Sequence, residues 1–135
     1  MLGSVDAPAT VIVADLEAGI GTLTRLGHGQ LDVVLVIVEP TPRSIEVGQR
    51  AAQLATTSGQ GRVVVVANQV NSPADEAVVR AAFPGCELFV VPADAAVVAA
   101  DRVGLSPLDT APESPAVEAL LSLASALSRW SAGSD

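Results

Sequence analysis

Lysine is missing from this sequence altogether, and the seven basic residues that remain are arginines set against 15 acids. The resulting formal charge of −8 excludes a nucleic-acid partner, because binding to such polyanions depends on neutralising phosphates with basic side chains. Cysteine is reduced to Cys86, so neither an intrachain disulfide nor a cysteine-cluster metal site can form, and the thiol reads as a small core hydrophobe. His28, in the Gly-flanked stretch "LGHGQ", is the single histidine and reads as a solvent-facing loop residue with no partner for a metal site or a triad. Aromatics make up 2% of a chain that is half hydrophobic, so the core must be built from Val, Ala and Leu. No apolar run approaches the roughly 18 residues that a bilayer span needs, which excludes membrane insertion by a helix. The chain also opens without a basic segment followed by an apolar signal run, making the cytoplasm the expected compartment.

What the chain does contain alternates between two patterns. Residues 10–14, 32–38, 62–67 and 87–91 are short runs of Val, Ile or Leu bounded by Pro, Gly, Asp or Asn, the signature of strands buried on both faces. Between them, "PRSIEVGQRAAQLATTSG" carries Pro42 near a helix start, apolar residues near helical spacing and Gly59 as a stop. "SPADEAVVRAAF" offers Ser72 as cap, Pro73 at the first position and acids in the first turn. "DAAVVAADRVG" and, after the Pro-rich spacer "LSPLDTAPESP", "AVEALLSLASALSRW" repeat that grammar. This alternation predicts one α/β domain over 1–135, with a mainly parallel sheet, flanking helices, and loose ends at 1–9 and 131–135.

In open parallel sheets ligands bind beyond the carboxyl ends of the strands. The residues that follow each predicted strand are Asp15 with Glu17 and Gly19, then Glu39-Pro40-Thr41, then Asn68-Gln69, then Pro92-Ala93-Asp94. Any one of them also suits the capping of the next helix. Taken in order, the set resembles the MinD and CooC group of deviant-Walker ATPases, members of the SIMIBI class of P-loop NTPases. "DLEAGIGTLTR" is similar to their switch II, in the Glu-Ala-Gly form of the CooC branch, which serves carbon monoxide dehydrogenase maturation. "DVVLVIVEPTPRSIEVGQRAAQLA" resembles the strand and helix that follow, "VVVVANQV" the strand ending in the adenine-reading Asn, and "VPADAAVVAADRVG" the Pro-x-Asp base-contacting loop and its helix. The resemblance spans residues 10 to about 105 and implies the C-terminal two-thirds of a three-layer, Rossmann-like P-loop fold.

It also implies a part that these residues do not contain. Family members place a strand, a Gly-rich loop with two lysines and a helix upstream of switch II, whereas nine residues precede the first apolar run here. A phosphate loop needs converging backbone N–H groups, a lysine for the outer phosphates and a Ser or Thr for magnesium. By resemblance Asn68, Pro92 and Asp94 form a base pocket, Gly19 belongs to the phosphate-sensing switch, and Asp15 is a vestigial switch II acid that meets magnesium only if a Mg-nucleotide binds. Gln69 replaces the family's lysine after the Asn and removes its apolar stem and charge. The Cys-x-Cys metal pair of CooC proteins has no equivalent. The expectation is a non-hydrolysing binding or regulatory protein with at most a weak adenine nucleotide and no resident metal. Two alternatives stay open, namely an ATPase part completed by a phosphate loop from upstream or another chain, and an interaction module without nucleotide. The partner expected is a second copy, a complete ATPase or a metalloenzyme.

Overall fold

The computed structural model describes residues 11–16, 21, 25, 27 and 29–132. Three parallel strands, β1 (Val33–Val38), β2 (Arg62–Val70) and β3 (Glu87–Pro92), pair in the order β1-β2-β3. Val33 faces Arg62 and Val38 faces Ala67 in the first ladder, while Val64 faces Glu87 and Ala67 faces Val90 in the second. The central strand is a run of β-branched side chains that suits a pleated surface covered on both sides. Val64 and Val65 have no solvent exposure, and Val66 and Ala67 have almost none.

Helices α1 (Pro42–Thr57) and α2 (Pro73–Ala82) start where capping chemistry places them. Thr41 Oγ1 accepts from the Ser44 N–H at 3.3 Å, and Ser72 Oγ accepts from the Asp75 N–H at 3.2 Å, each just before a proline whose missing N–H costs the helix nothing. Helix α1 stops at Thr57 and, two residues on, Gly59 takes φ +63°, a conformation open to glycine at little cost. Both helices cover one face of the sheet, where Val34, Val36, Val38, Val65 and Ala67 pack against Ile45, Val79 and Phe83. A side chain on Gly48 would collide with Val38 and crowd Phe83 at 3.2 Å, so the bare backbone there sets how closely α1 approaches β1. The opposite face holds Val66 and Val91 against Ala116 and Leu123 of α5 (Pro115–Ala132). The short α3 (Ala95–Arg102) and the single turn α4 (Pro107–Thr110) join β3 to α5, completing a three-layer α/β arrangement.

Four boundaries differ from the sequence expectation. Strand β2 runs on through Val70, so Asn68 and Gln69 lie within the strand and not after it. The spacer before α5 contains a helical turn, started by Ser106 Oγ accepting from the Leu108 N–H at 3.2 Å. Helix α5 runs through Ala132, beyond the point where the chain was expected to loosen. Most consequentially, residues 11–14 form no strand, and Val11, Ile12 and Val13 are 63, 54 and 84% exposed. An apolar run becomes a buried strand only with a hydrogen-bonded neighbour, and no described strand pairs with this segment. Residues 1–9 and 133–135 lie outside the described residues.

Two polar side chains pin the connections. Gln60, 8% exposed, accepts from the Leu31 N–H at 3.0 Å and donates to the Gly27 carbonyl at 2.9 Å, holding the approach to β1 against the α1–β2 turn. Asp94 caps two helices at once. Its Oδ1 accepts from the Ala96 N–H of α3 at 2.9 Å, and its Oδ2 accepts from the Ala116 N–H of α5 at 3.0 Å, 22 residues away. That second bond takes the donor a serine before α5 would ordinarily satisfy; the buried Ser114 hydroxyl makes no close hydrogen bond and only adds to the favourable surroundings of the same carboxylate. The Asp94 carboxyl is held below its ordinary value, first by the Ala116 N–H and then by the Ala96 N–H, against an opposing effect of burial.

Gln60→Ala leaves two backbone groups without their partner and is expected to lower unfolding stability by about 1–3 kcal/mol, read from urea titration. For Asp94 the folded pKa lies below the unfolded one, so its stabilisation is complete above the ordinary carboxylate value of about 3.9 and is lost as pH falls through the lower folded value. Asp94→Asn keeps one acceptor and loses the other. Its Tm should therefore fall below that of the parent at neutral pH, with the gap closing as the parent is titrated below about pH 4; a gap independent of pH would show that charge has no part in the cap.

Candidate functional site

Because the three strands are parallel, their carboxyl ends at Val38, Val70 and Pro92 open on one rim. The structure therefore brings together three of the four groups expected there: Glu39-Pro40-Thr41, Asn68-Gln69 and Pro92-Ala93-Asp94. Between Ala67 and Val70 the second ladder slips, so that Asn68 and Gln69 on β2 stand against Val91 alone on β3. Such a bulge bends the strand end and re-aims its side chains. Gln69 takes φ +56°, the sole positive φ outside glycine among the described residues. Backbone in that region is uncommon for a residue with a Cβ and persists where neighbouring contacts hold it.

Those contacts are present. Gln69 Nε2 donates to Glu39 Oε1 at 3.3 Å, linking the ends of β1 and β2, and the Gln69 carbonyl accepts from Asn71 Nδ2 at 3.1 Å. The Asn71 N–H donates to Asp75 Oδ2 at 2.9 Å, and the Ala93 N–H to the Val70 carbonyl at 3.0 Å. On the β1 side, the Glu39 N–H donates to Ser44 Oγ at 2.9 Å. The rim is thus stitched from strand to strand, and the carboxylates of Glu39, Asp75 and Asp94 are each engaged by an N–H donor of the protein. Asn68 differs from them. It is half-buried, and its amide makes no hydrogen bond to another described residue, leaving one donor group and one acceptor for a ligand edge.

The remaining candidates are placed as follows. Pro92 ends β3 opposite Val70. Asp94 sits on the rim, with both carboxylate oxygens committed to helix caps, a role that the strand-end position alone did not distinguish from base contact. Asp15 is exposed at the end of the unpaired apolar segment. Gly19, Glu17 and His28 lie outside the described residues. Cys86 packs against the core on the α1 and α2 face, as its reading as a small hydrophobe anticipated.

Sequence reasoning missed a polar and aromatic cluster at the opposite, amino end of the strands. The Arg62 guanidinium lies 4.4 Å from the centre of the Trp130 ring and 3.1 Å from Glu87, and Phe89 meets Trp130 edge-on with centroids 6.2 Å apart. Arg62 and Glu87 each open a strand with opposite charge, and that was the available signal; the docking of Trp130 from 68 residues downstream left none. A cleft of about 400 Å³ borders this cluster between Asp32, Gly61, Arg62 and Trp130, at the other end of the sheet from the rim. No described helix is long and apolar enough to cross a membrane.

No family model matches the chain. Over 102 residues it is 30% identical to the carbon monoxide dehydrogenase accessory protein CooC of Rhodospirillum rubrum, an alignment covering 75% of this chain and 39% of that protein. Over 62 residues it is 32% identical to an uncharacterised ATP-binding protein of Methanocaldococcus jannaschii, covering 46% of this chain and 24% of that one. The matched segment therefore spans well under half the length of either relative. With the parallel sheet between two helical layers, these similarities support a nucleotide-binding, ATPase-like fold.

Proposed function

We propose that these 135 residues act in the cytoplasm as a non-hydrolysing binding or regulatory partner, built on the base-recognising portion of a CooC/MinD-like nucleotide fold. The observation that carries this reading is the rim. It offers a ligand the Asn68 amide beside the Pro92–Asp94 loop, within a stitched and bulged strand end, while the same 135 residues contain no lysine and no Gly-Lys loop to hold phosphates. Asn68 reads the edge of an adenine, Pro92 and Ala93 border it, and Asp94 holds the loop in place through its two caps. Gly19 and Asp15 belong to the switch segment in this reading.

Magnesium fits these residues poorly. It is ordinarily held by one or two carboxylates together with substrate phosphates. Asp15 is exposed and joins no metal-binding cluster among the described residues, and the acids of the rim are occupied with backbone and amide donors. A second reading is favoured by the partial span of the alignment with CooC and by the exposed segment Val11–Val13. In it, the same residues are part of an ATP-hydrolysing metal-insertion or positioning ATPase, whose phosphate loop comes from upstream sequence or from another chain.

Calorimetry separates the readings. The 135-residue chain is expected to bind adenosine, AMP and ATP about equally, with a Kd no tighter than roughly millimolar, corresponding to about 4 kcal/mol. Asn68→Ala should abolish the signal. Phosphate release from ATP should stay at background, because the preorganised charges that carry phosphoryl transfer are absent from these residues. Micromolar ATP binding with strong magnesium dependence would replace this reading with the second, and no binding of any adenine compound would leave an interaction module without nucleotide.

A further inference from the structure

Along β2 the side chains change faces in turn as far as Ala67, and there the pattern breaks. Val65 and Ala67 pack under α1 and α2, whereas Val66 packs under α5. Continued alternation would place Asn68 and Val70 with Val66, and Gln69 with Ala67. Val70 is instead buried in the cluster under α1 and α2, and Gln69 is exposed. The ladder locates the slip: Ala67 faces Val90 and Val70 faces Pro92, so three steps along β2 match two along β3. Gln69, at φ +56°, turns the backbone through the extra step. A regular strand end would bury the Gln69 amide in an apolar layer and bring Val70 out to solvent.

The half-buried Asn68 amide makes no hydrogen bond to another described residue, so its direction follows from the backbone that carries it. Gln69 holds that backbone. Its Nε2 donates to Glu39 Oε1 at 3.3 Å, and its carbonyl accepts from Asn71 Nδ2 at 3.1 Å. Glu39 is fixed in turn, its N–H donating to Ser44 Oγ in the first turn of α1 at 2.9 Å. We propose that Gln69 is the positioning residue of the rim: its left-handed backbone makes the bulge that presents Asn68 to a ligand, and its side chain, tied to Glu39, holds that presentation. This role rests on the reading of Asn68 as the base-contacting residue. It divides the labour of the adjacent pair, Asn68 meeting the ligand and Gln69 meeting Glu39. Glycine would take the same φ at less cost, and the reach to Glu39 is what a long amide adds there.

The test is nuclear magnetic resonance on the 135-residue chain, with the Asn68 side-chain amide as reporter and AMP as probe. Gln69→Gly keeps a backbone free to take positive φ and loses the tie, Glu39→Ala loses the tie from the other side, and Glu39→Gln keeps an acceptor for it. Without ligand, the Asn68 amide is expected to gain picosecond-to-nanosecond mobility in Gln69→Gly and Glu39→Ala and to stay as in the parent in Glu39→Gln. With AMP, the first two should bind roughly threefold to tenfold more weakly, the effect of one hydrogen bond, and the double variant no more weakly than either single one. The Tm of Gln69→Gly should change little, because glycine relieves the positive φ as the tie is lost; a merely structural residue would give a lower Tm at unchanged affinity. Unchanged Asn68 mobility in both Gln69→Gly and Glu39→Ala would overturn the positioning role whatever AMP does, as would unchanged affinity in both when the parent binds. Mobility that changes as expected, in a chain whose parent Asn68 amide does not respond to AMP, would keep Gln69 as the residue that positions Asn68 and remove the adenine reading instead. Should Gln69→Gly fail to fold, the contrast between Glu39→Ala and Glu39→Gln decides.

Discussion

Everything in this structure hangs on β2 being hydrogen-bonded along both sides and dry on both faces. A strand in that position has no water to satisfy its backbone, so every amide and carbonyl must find its partner in β1 or β3. The same geometry removes the valines of β2 from solvent, each contributing on the order of 1.5–3 kcal/mol relative to exposure. With three aromatic residues in the whole chain, small β-branched side chains have to fill the core, and they leave narrow tolerances. That is why Gly48 must be bare where α1 crosses β1, and why Gly61 stands where a side chain would strike the Asp32 carbonyl.

Parallel pairing then decides where polar residues gather. All three strands deliver their following loops to one rim, and the polar side chains there first serve the fold. Glu39 and Gln69 join β1 to β2, and Asp94 joins the beginnings of α3 and α5. Asn68, at the bulge between them, makes no side-chain hydrogen bond to another described residue. The occupied acids and the available amide of this rim are the features on which the proposed contact with an adenine edge rests.

The α/β class, the positions of β1, β2 and β3, the starts of α1 and α2 and the stop at Gly59 were legible in the sequence. Each depends on interactions between residues close together in the chain: runs of branched side chains, Ser or Thr three residues before an N–H, a proline in a first turn, a glycine at positive φ. The collection of Glu39, Asn68, Pro92 and Asp94 on one rim was legible too, since alternating strands and helices leave a parallel sheet little choice of topology.

Only the tertiary structure decided the rest, because the deciding partners are remote in sequence. Residues 10–14 have the composition of a buried strand, but composition cannot supply the neighbouring strand that burial requires, and residues 11–14 lie exposed. Asp94 has the position of a base-contacting acid or of a simple cap, and the Ala116 N–H, brought back by α5, makes it the pin between two helices. Trp130 stacks on Arg62 only because α5 returns along the sheet to the amino ends of β2 and β3. Local chemistry sets where elements begin and end, whereas hydrogen-bond partners and packing across the sheet determine which elements form and what their polar residues are free to do.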